Sequence, residues 1–315
     1  MRTSGNATLW AIFAAAVVVM LAVDLGVFRK AVKEVSVREA FLRSAVWIAV
    51  AAGFNAGIYA LVGKQPGLEF TAGYLLEEAL SVDNLFVFVV IFSAFRVPAA
   101  YQHRILFWGI VGAVLLRGAF IGVGTALVQR FSWVMIVFGV ALLYTAWKLF
   151  RGDEDDTAEP EKNVAFRLFR RYVPSTPEMR GAHFFVRENG KWLATPLVAV
   201  LVLVETSDVL FALDSIPAVF GVTKDPFIVY TSNIFAILGL RSMYFLLSAI
   251  VQRFVYLKTG LAIILAFVGG KMVVQQWLHV PTGISLLIIA GVLGLTVAAS
   301  LLFPPKPKEA TQEPH

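Results

Sequence analysis

Residues 77–86 read EEALSVDNLF, and residues 205–215 read ETSDVLFALDS. Both stretches place acidic side chains inside long apolar runs, which is rare because a charge at the bilayer centre costs roughly 3 kcal/mol on insertion scales. Acids found at such positions face a protein interior or a water-filled cavity. The two stretches therefore predict membrane-spanning helices that line a polar site.

The composition of the 315-residue chain identifies lipid as the solvent for most of it. Apolar side chains make up 58% of the residues and charged ones only 15%, whereas ordinary globular domains carry roughly 25% charged residues. These figures exclude a soluble enzyme, a disordered chain and a nucleic-acid-binding domain, although the formal net charge is +6. The chain contains no cysteine, which excludes disulfides, thiolate metal sites and iron–sulfur clusters within it.

Nine apolar stretches have about the 20 residues that a helix needs to cross a hydrocarbon core of about 30 Å. They lie near 7–28, 44–63, 71–95, 104–128, 131–150, 194–220, 227–251, 259–278 and 283–303. The first stretch is too long for a signal peptide and is expected to stay in the protein. The predicted fold class is all-α, a polytopic integral membrane protein with about nine transmembrane helices.

Lysine and arginine residues alternate sharply between the connections of this nine-helix arrangement. One set of alternate connections holds 20 of the 27 basic residues, and the opposite set holds four. Basic loops are retained in the cytoplasm. The distribution predicts that the N-terminus faces outward and the C-terminus faces the cytoplasm.

Three consecutive helices are repeated in the sequence, residues 71–150 against residues 194–278. The aligned residues are Asp83 with Asp208, Arg117 with Arg241, and Lys148 with Lys271. Because each copy crosses the membrane an odd number of times, the two copies have opposite orientations. This is the inverted-repeat plan of secondary transporters, whose sites lie near the bilayer midplane where the repeats meet.

The chain is expected to form a single transmembrane domain, residues 1–315. Its segments are two leading helices (1–63), the first repeat (71–150), a cytoplasmic linker (151–192), the second repeat (194–278), a final helix (283–303) and a cytoplasmic tail (304–315). The linker carries an acidic run at 153–156, followed by basic and proline-containing sequence. The simpler interpretation is a solvated linker, and the alternative is a cation-collecting or regulatory patch.

The predicted mid-membrane charges comprise six acids and three bases. The acids are Glu77, Glu78, Asp83, Glu205, Asp208 and Asp214, and the bases are Arg117, Arg241 and Lys271. If each base neutralises one acid, a divalent cation, together with a proton on the remaining acid, would balance the surplus. The available ligands are oxygens, which suit Mg²⁺, Ca²⁺ or Mn²⁺. The four histidines lie in predicted loops, at helix ends or in the tail, so an intramembrane zinc site is not expected.

Helical geometry groups several of these side chains on shared faces. One face holds Glu77, Ser81 and Asn84, and a second face holds Glu205, Asp208 and Ser215.

A structural interpretation is that the charges form buried ion pairs that fix helix register. Under that interpretation Arg117 and Arg241 are counter-ions, and Lys271 is either a structural partner or a group that mimics a cation. Asp24, near the end of the first helix, would cap that helix or pair with the basic loop after it.

At these same residues the sequence resembles the TerC family of integral membrane proteins, and among them the Alx-type members. The resemblance covers nearly the whole chain except the linker and the tail. Its motifs are VDLGVF at 23–28, YLLEEALSVDNLF at 74–86, LR at 116–117, VETSDVLFALDSIPA at 204–218 and TSNIFAILGLRS at 231–242.

The resemblance implies a multi-pass protein of the bacterial inner membrane that acts in metal homeostasis. Family members are associated with manganese export and, by older naming, with tellurite resistance, and some are described as redox modulators. By carry-over, the residues on the ion-holding motifs are Glu77, Asp83, Asn84, Glu205, Asp208, Asp214 and Ser215. Glu78, Ser81 and Asp24 are further candidate ligands or proton carriers, and Arg117, Arg241 and Lys271 are candidates for charge balance.

The favoured function is export of Mn²⁺, or of a similar hard divalent cation, from the cytoplasm, with no catalytic residue and no resident cofactor. Coupling to proton movement is a hypothesis, since burial favours the neutral form of a carboxylic acid.

One alternative is a non-transporting membrane partner that supplies metal to exported proteins or modulates redox state. Another is an intramembrane hydrolase that uses Asp208 and Asp214. The expected partners are the metal ion and the lipid bilayer, not nucleic acid. Self-association and exported-protein partners stay open.

Overall fold

The computed structural model describes most of the chain. The described residues are 3–28, 37–131, 133–151, 163–188, 190–248, 256–275, 277–278 and 280–302. Three predicted site residues, Asp24, Asp83 and Arg241, belong to described helices, but their side chains lie outside the described part of the structure. The roles predicted for these three side chains therefore stay predictions.

Ten α-helices and one two-stranded sheet make up the regular structure of the described residues. The helices are α1 (Ala7–Phe28), α2 (Val37–Leu61), α3 (Lys64–Ala94), α4 (Ala99–Arg130), α5 (Val134–Arg151), α6 (Val164–Tyr172), α7 (Pro196–Val222), α8 (Pro226–Ser248), α9 (Leu257–Val274) and α10 (Thr282–Leu302), and the strands are β1 (Phe185–Glu188) and β2 (Lys191–Ala194). Helices dominate because a backbone in lipid must satisfy its own hydrogen bonds. Each of the nine predicted stretches overlaps a helix, and α6 lies in the predicted linker.

Side chains and prolines fix where the helices begin. Thr195 precedes α7 and accepts a hydrogen bond from the backbone N–H of Leu197 at 3.3 Å, with proline at the first helical position. Asp225 likewise accepts from the backbone N–H of Phe227 at 2.9 Å at the start of α8. Such caps satisfy amide groups that have no partner within the helix.

Six of the described helices are long and apolar enough to cross a membrane: α2, α4, α5, α7, α9 and α10. Helices α1 and α8 contain shorter apolar segments, Ala7–Val23 and Pro226–Leu240. Large apolar side chains such as Leu115, Leu287 and Leu295 are exposed on the outside of the bundle, which suits contact with lipid. The protein is a polytopic, almost entirely helical membrane protein.

Four helices surround the centre of the molecule. Helix α3 packs against α7 and α8, and α4 packs against the same two helices. Helix α5 packs most closely on α9, where Gly139 and Gly269 meet. A Cβ atom on Gly269 would lie 2.7 Å from the carbonyl oxygen of Gly139, so these two backbones touch without side chains between them.

Two apolar clusters flank the middle of the central helices. One cluster includes Leu76 and Leu80 of α3 together with Ala212 and Ile216 of α7. The other includes Leu85 and Phe88 of α3 together with Leu203 and Val204 of α7. Ser81 and Asn84 of α3, and Glu205 and Asp208 of α7, lie where one cluster gives way to the other.

The described part of the linker adds one small sheet to an otherwise helical fold. Strand β1 pairs antiparallel with β2, and Arg187 lies opposite Trp192. Gly190, just before β2, has a φ of +78°, a left-handed conformation that favours glycine. The prediction of an all-α fold therefore holds for the described chain outside this hairpin.

Within the described part of the linker, α6 buries Phe166 and Phe169 in the apolar cluster that α3 and α7 share. Other differences concern helix ends. Helix α3 begins at Lys64 instead of residue 71, because Glu69 is tolerated where it is hydrogen-bonded. Helix α9 ends at Val274 instead of residue 278.

Candidate functional site

Arg117 of α4 lies at the centre of the bundle and is fully buried. Its Nη2 donates a hydrogen bond to Oδ1 of Asp208 at 2.8 Å, and its Nε donates to Oδ2 of the same residue at 3.2 Å. Its Nη1 forms an ion pair with Glu77. One guanidinium therefore bridges an acid of α3 and an acid of α7, with two-point contact to Asp208.

Two neutral side chains complete this arrangement. Nη1 of Arg117 also donates to Oγ of Ser215 at 3.1 Å and to Oδ1 of Asn233 at 3.3 Å. Asn233 of α8 in turn donates from Nδ2 to Oε2 of Glu77 at 2.8 Å. We call these five residues the Arg117 cluster: Glu77, Arg117, Asp208, Ser215 and Asn233. It joins α3, α4, α7 and α8.

Asn233 is the member of the Arg117 cluster that was not assigned to the site from the sequence. The signal was present, since Thr231-Ser232-Asn233 is a polar run in an apolar helix, and all three residues are buried. Thr231 and Ser232 donate their hydroxyl groups to backbone carbonyls one turn earlier, which leaves Asn233 as the residue that reaches across to another helix.

The Arg117 cluster has an excess of negative charge. It contains two carboxylates and one guanidinium, and no member is more than 4% exposed. Removing charges from water carries a penalty of several kcal/mol per ion, which is offset only when partners and hydrogen bonds are well arranged. The geometry around Arg117 meets that condition for one positive charge and leaves one negative charge over.

Further polar groups of α3 and α7 have buried atoms without hydrogen-bond partners among the described residues. The atoms are Oγ of Ser81, Nδ2 of Asn84 and Oε2 of Glu205. Buried polar atoms are normally satisfied, so such groups indicate a place where another species can bind. Ser81 and Asn84 share the buried face of α3 with Glu77, as the spacing predicts.

Glu205 occupies a space that α4 opens for it. A Cβ atom built on Gly112 would overlap the carboxylate of Glu205, so any residue larger than glycine at position 112 would displace that carboxylate. Glu205 lies one helical turn before Asp208 and on the same side of α7. Helix α4 therefore contributes to the site twice: it carries Arg117, and its Gly112 leaves the space that the carboxylate of Glu205 occupies.

Two predicted site residues lie apart from the Arg117 cluster. Oδ1 of Asp214 accepts a hydrogen bond from the hydroxyl of Thr145 on α5 at 3.0 Å. Lys271 lies in the last turn of α9, not in the middle of its helix, and Nζ donates to Oγ of Ser285 at 2.9 Å. Asp208 and Asp214 thus have different partners, which gives no support to a paired-aspartate hydrolase.

The seven predicted ligands are only partly brought together in the described structure. Glu77, Asp208 and Ser215 meet at Arg117, and Asp214 instead contacts Thr145. Asn84 and Glu205 make no hydrogen bond to the Arg117 cluster within the described residues, and the side chain of Asp83 lies outside them. Within the described residues, no group of three or more histidine, aspartate or glutamate side chains is arranged to hold a metal ion. The arginine takes the central position among the acids.

Comparison with known proteins agrees with the resemblance noted from the motifs. Residues 62–308 match the family described as the integral membrane protein TerC family. No solved structure matches the chain.

Three relatives illustrate the similarity. The chain is 55% identical over 300 residues to an uncharacterized membrane protein of Myxococcus xanthus, covering 95% of this chain and 93% of that protein. It is 44% identical over 305 residues to a protein of Escherichia coli strain K12, covering 94% and 95% of the two chains. That protein is named Alx and is described, as a proposal, as a membrane-bound redox modulator. A Rickettsia bellii membrane protein is 39% identical over 293 residues, covering 93% and 97% of the two chains. The chain belongs to the TerC family of integral membrane proteins.

Proposed function

We propose that this protein exports Mn²⁺, or a similar hard divalent cation, from the cytoplasm. The observation that carries the proposal is the Arg117 cluster, in which two buried carboxylates from different helices converge on one cation. Carboxylate, hydroxyl and amide oxygens are the ligands that hard divalent cations prefer. A divalent ion bound by the same oxygens would carry more positive charge than the guanidinium does.

The surplus of acids supports a divalent ion over a second structural cation. Besides Glu77 and Asp208, α7 contributes Glu205, whose buried Oε2 has no hydrogen-bond partner among the described residues. A cation that entered between α3 and α7 would satisfy several of these oxygens at once. Mn²⁺, Mg²⁺ and Ca²⁺ all fit this ligand chemistry, and manganese is favoured by the association of the family with its export.

Arg117 is the internal competitor in this proposal. When the metal ion binds to Glu77 and Asp208, the guanidinium must leave at least one of them. When the metal ion departs, Arg117 returns and neutralises the carboxylates, which lowers the cost of an empty site in a low-dielectric interior. We place Arg241 in the corresponding role in the second repeat, because it aligns with Arg117.

The proposed architecture is an inverted repeat of α3–α5 and α7–α9. The packing supports it: exchanging the repeats converts the α3–α8 contact into the α7–α4 contact and leaves α3–α7 and α5–α9 unchanged. All four contacts are present. We further propose nine crossings, an outward N-terminus, a cytoplasmic C-terminus and a bacterial inner-membrane location, from the distribution of basic residues.

Apolar packing on both sides of Asp208 supports transport by alternating access. Along α7, Asp208 lies between the two apolar clusters described above. An ion at this depth reaches water on either side only when helices move apart. Inverted repeats permit two equivalent arrangements of that kind.

Mn²⁺ flux into proteoliposomes that contain the purified protein tests the proposal. We expect flux from the wild type and a loss of at least about 10-fold in Asp208→Asn, because a removed charge contact is worth more than 1.4 kcal/mol. The matched control is Glu188→Gln on the exposed hairpin, which should transport normally. Equal flux in the wild type and Asp208→Asn would remove the site from the mechanism.

A pH gradient across the same vesicles tests proton coupling. If transport is coupled to protons, Mn²⁺ flux should become faster or slower according to the direction of the gradient.

A second candidate is a membrane partner that does not transport, for example one that supplies metal to exported proteins or modulates redox state. The names of the Alx relatives favour this reading. The chain has no cysteine, so it offers no thiol chemistry of its own for such a role. Flux by the purified protein alone distinguishes the two candidates.

A further inference from the structure

Helix α6 has a second apolar face that the bundle does not cover. Phe166 and Phe169 are buried in the fold, but Val164, Leu168 and Tyr172 lie at i, i+4 and i+8 on another side. Their exposed fractions are 59%, 51% and 69%. An exposed apolar stripe of this kind indicates a surface that contacts another molecule or the lipid bilayer.

Arginine side chains border that stripe. Arg167, Arg170 and Arg171 are all exposed, and none forms an ion pair among the described residues. The two acids described between residues 163 and 195, Glu178 and Glu188, both lie near Arg180 instead, at 3.7 and 3.2 Å. Within the described residues, the stripe and its border therefore combine apolar side chains with three exposed arginines that have no acidic partner.

The hairpin repeats the same combination. Trp192 is 67% exposed and lies opposite Arg187 in the register, and Phe185 is on the same face because side chains alternate along a strand. Tryptophan, tyrosine and arginine are the residues that favour the headgroup region of a bilayer.

Both elements pack at the ends of membrane helices. The ring of Phe166 contacts that of Phe95, which directly follows α3, with centroids 5.6 Å apart. Arg104, near the start of α4, donates to the carbonyl of Ala182 at 2.6 Å and lies over the ring of Phe184. The segment is thus held where helices leave the hydrocarbon, at the level of the lipid headgroups.

We propose that α6 and the hairpin form a docking surface for anionic phospholipid headgroups of the surrounding bilayer. Charge complementarity selects this occupant, since the surface is cationic and acidic lipids carry the negative charge of bacterial membranes. Val164, Leu168 and Tyr172 enter the boundary between headgroups and acyl chains, while the arginines contact phosphates. The proposal does not depend on which ion the protein transports.

The absence of cysteine permits a direct test in the full-length protein. Leu168→Cys supplies a single thiol for an environment-sensitive dye, and Glu178→Cys supplies a matched position in the same segment outside the stripe. Each labelled protein is reconstituted in vesicles of phosphatidylcholine alone or with phosphatidylglycerol. Dye insertion is measured by its emission shift and by quenching from lipids that carry a quencher in the acyl chain.

We expect the dye at residue 168 to insert in vesicles that contain phosphatidylglycerol and to insert much less in phosphatidylcholine alone. Three arginines near an anionic surface favour the docked position about 100-fold in total, so replacing all three with glutamine should abolish the difference. Replacing them with lysine, which keeps the charge, should preserve it. The dye at residue 178 should stay in water throughout.

Two results would overturn the proposal. Equal insertion in the two kinds of vesicle, or insertion unchanged by the glutamine substitutions, would show that charge does not select the lipid. A dye that stays in water in both vesicles would show that the surface does not dock on the bilayer and is open to a soluble partner. The melting temperature of each variant establishes that it is folded.

Discussion

Arg117→Met is the substitution that tests the Arg117 cluster most directly. Methionine keeps an unbranched side chain in the cavity but removes both hydrogen bonds from Arg117 to Asp208 and the ion pair with Glu77. Breaking a buried ion pair by removing one partner costs about 3–5 kcal/mol. At about 2–4 °C per kcal/mol for chains of this size, we expect the melting temperature to fall by about 10 °C in a metal-free buffer.

Added Mn²⁺ should then distinguish a transport site from a structural ion pair. In Arg117→Met the carboxylates have lost their competitor, so Mn²⁺ can bridge them without displacing a cation. Binding at 100 times its dissociation constant stabilises a protein by about 2.7 kcal/mol. We expect Mn²⁺ to restore most of the lost melting temperature in the variant and to stabilise the wild type less. Flux should fall, because release of the ion loses its counter-ion.

The assay is thermal unfolding of the purified protein in detergent, with chelator or with Mn²⁺. Arg180→Met is the matched control, because Arg180 forms exposed ion pairs with Glu178 and Glu188 that are worth at most about 1 kcal/mol. If Mn²⁺ stabilises Arg117→Met no more than it stabilises the wild type, Arg117 is not in competition with a metal ion. The cluster would then be a structural pair that fixes the register of four helices.

Two other substitutions probe the neighbours of Arg117. Gly112→Val should displace the carboxylate of Glu205, and we expect Mn²⁺ flux to fall while Gly122→Val, at a glycine with open space around it, leaves flux unchanged. Asn233→Leu removes the donor to Oε2 of Glu77 and should lower the free energy of unfolding by about 1–3 kcal/mol. Asn233→Gln, which keeps an amide, should lose less, and thermal unfolding compares the two.

The composition and the positions of the charges were enough to predict a polytopic helical membrane protein, and the TerC resemblance is confirmed. The spacing rules also placed Glu77, Ser81 and Asn84 on one buried face correctly. These predictions succeed because the cost of charge and of unpaired backbone in lipid leaves few alternatives.

The pairing of the charges was harder to predict. Counting acids against bases could not show that Arg117 takes two carboxylates, Glu77 and Asp208, while Asp214 turns to Thr145. Which side chains meet depends on how the helices are rotated against one another, and periodicity within one helix carries no such information. Asn233 was missed for the same reason, since an amide is recognised as part of a site only once its neighbour is known.

The contact between Gly139 and Gly269 has a consequence for how the molecule can deform. It joins α5 to α9 by their backbones, and the two helices belong to different halves of the chain. Because no side chain lies between the two helices, their separation at this point cannot change by repacking of side chains. Rotation of one half against the other is therefore expected to pivot here, and a larger residue at either glycine would block that rotation without touching a charged group.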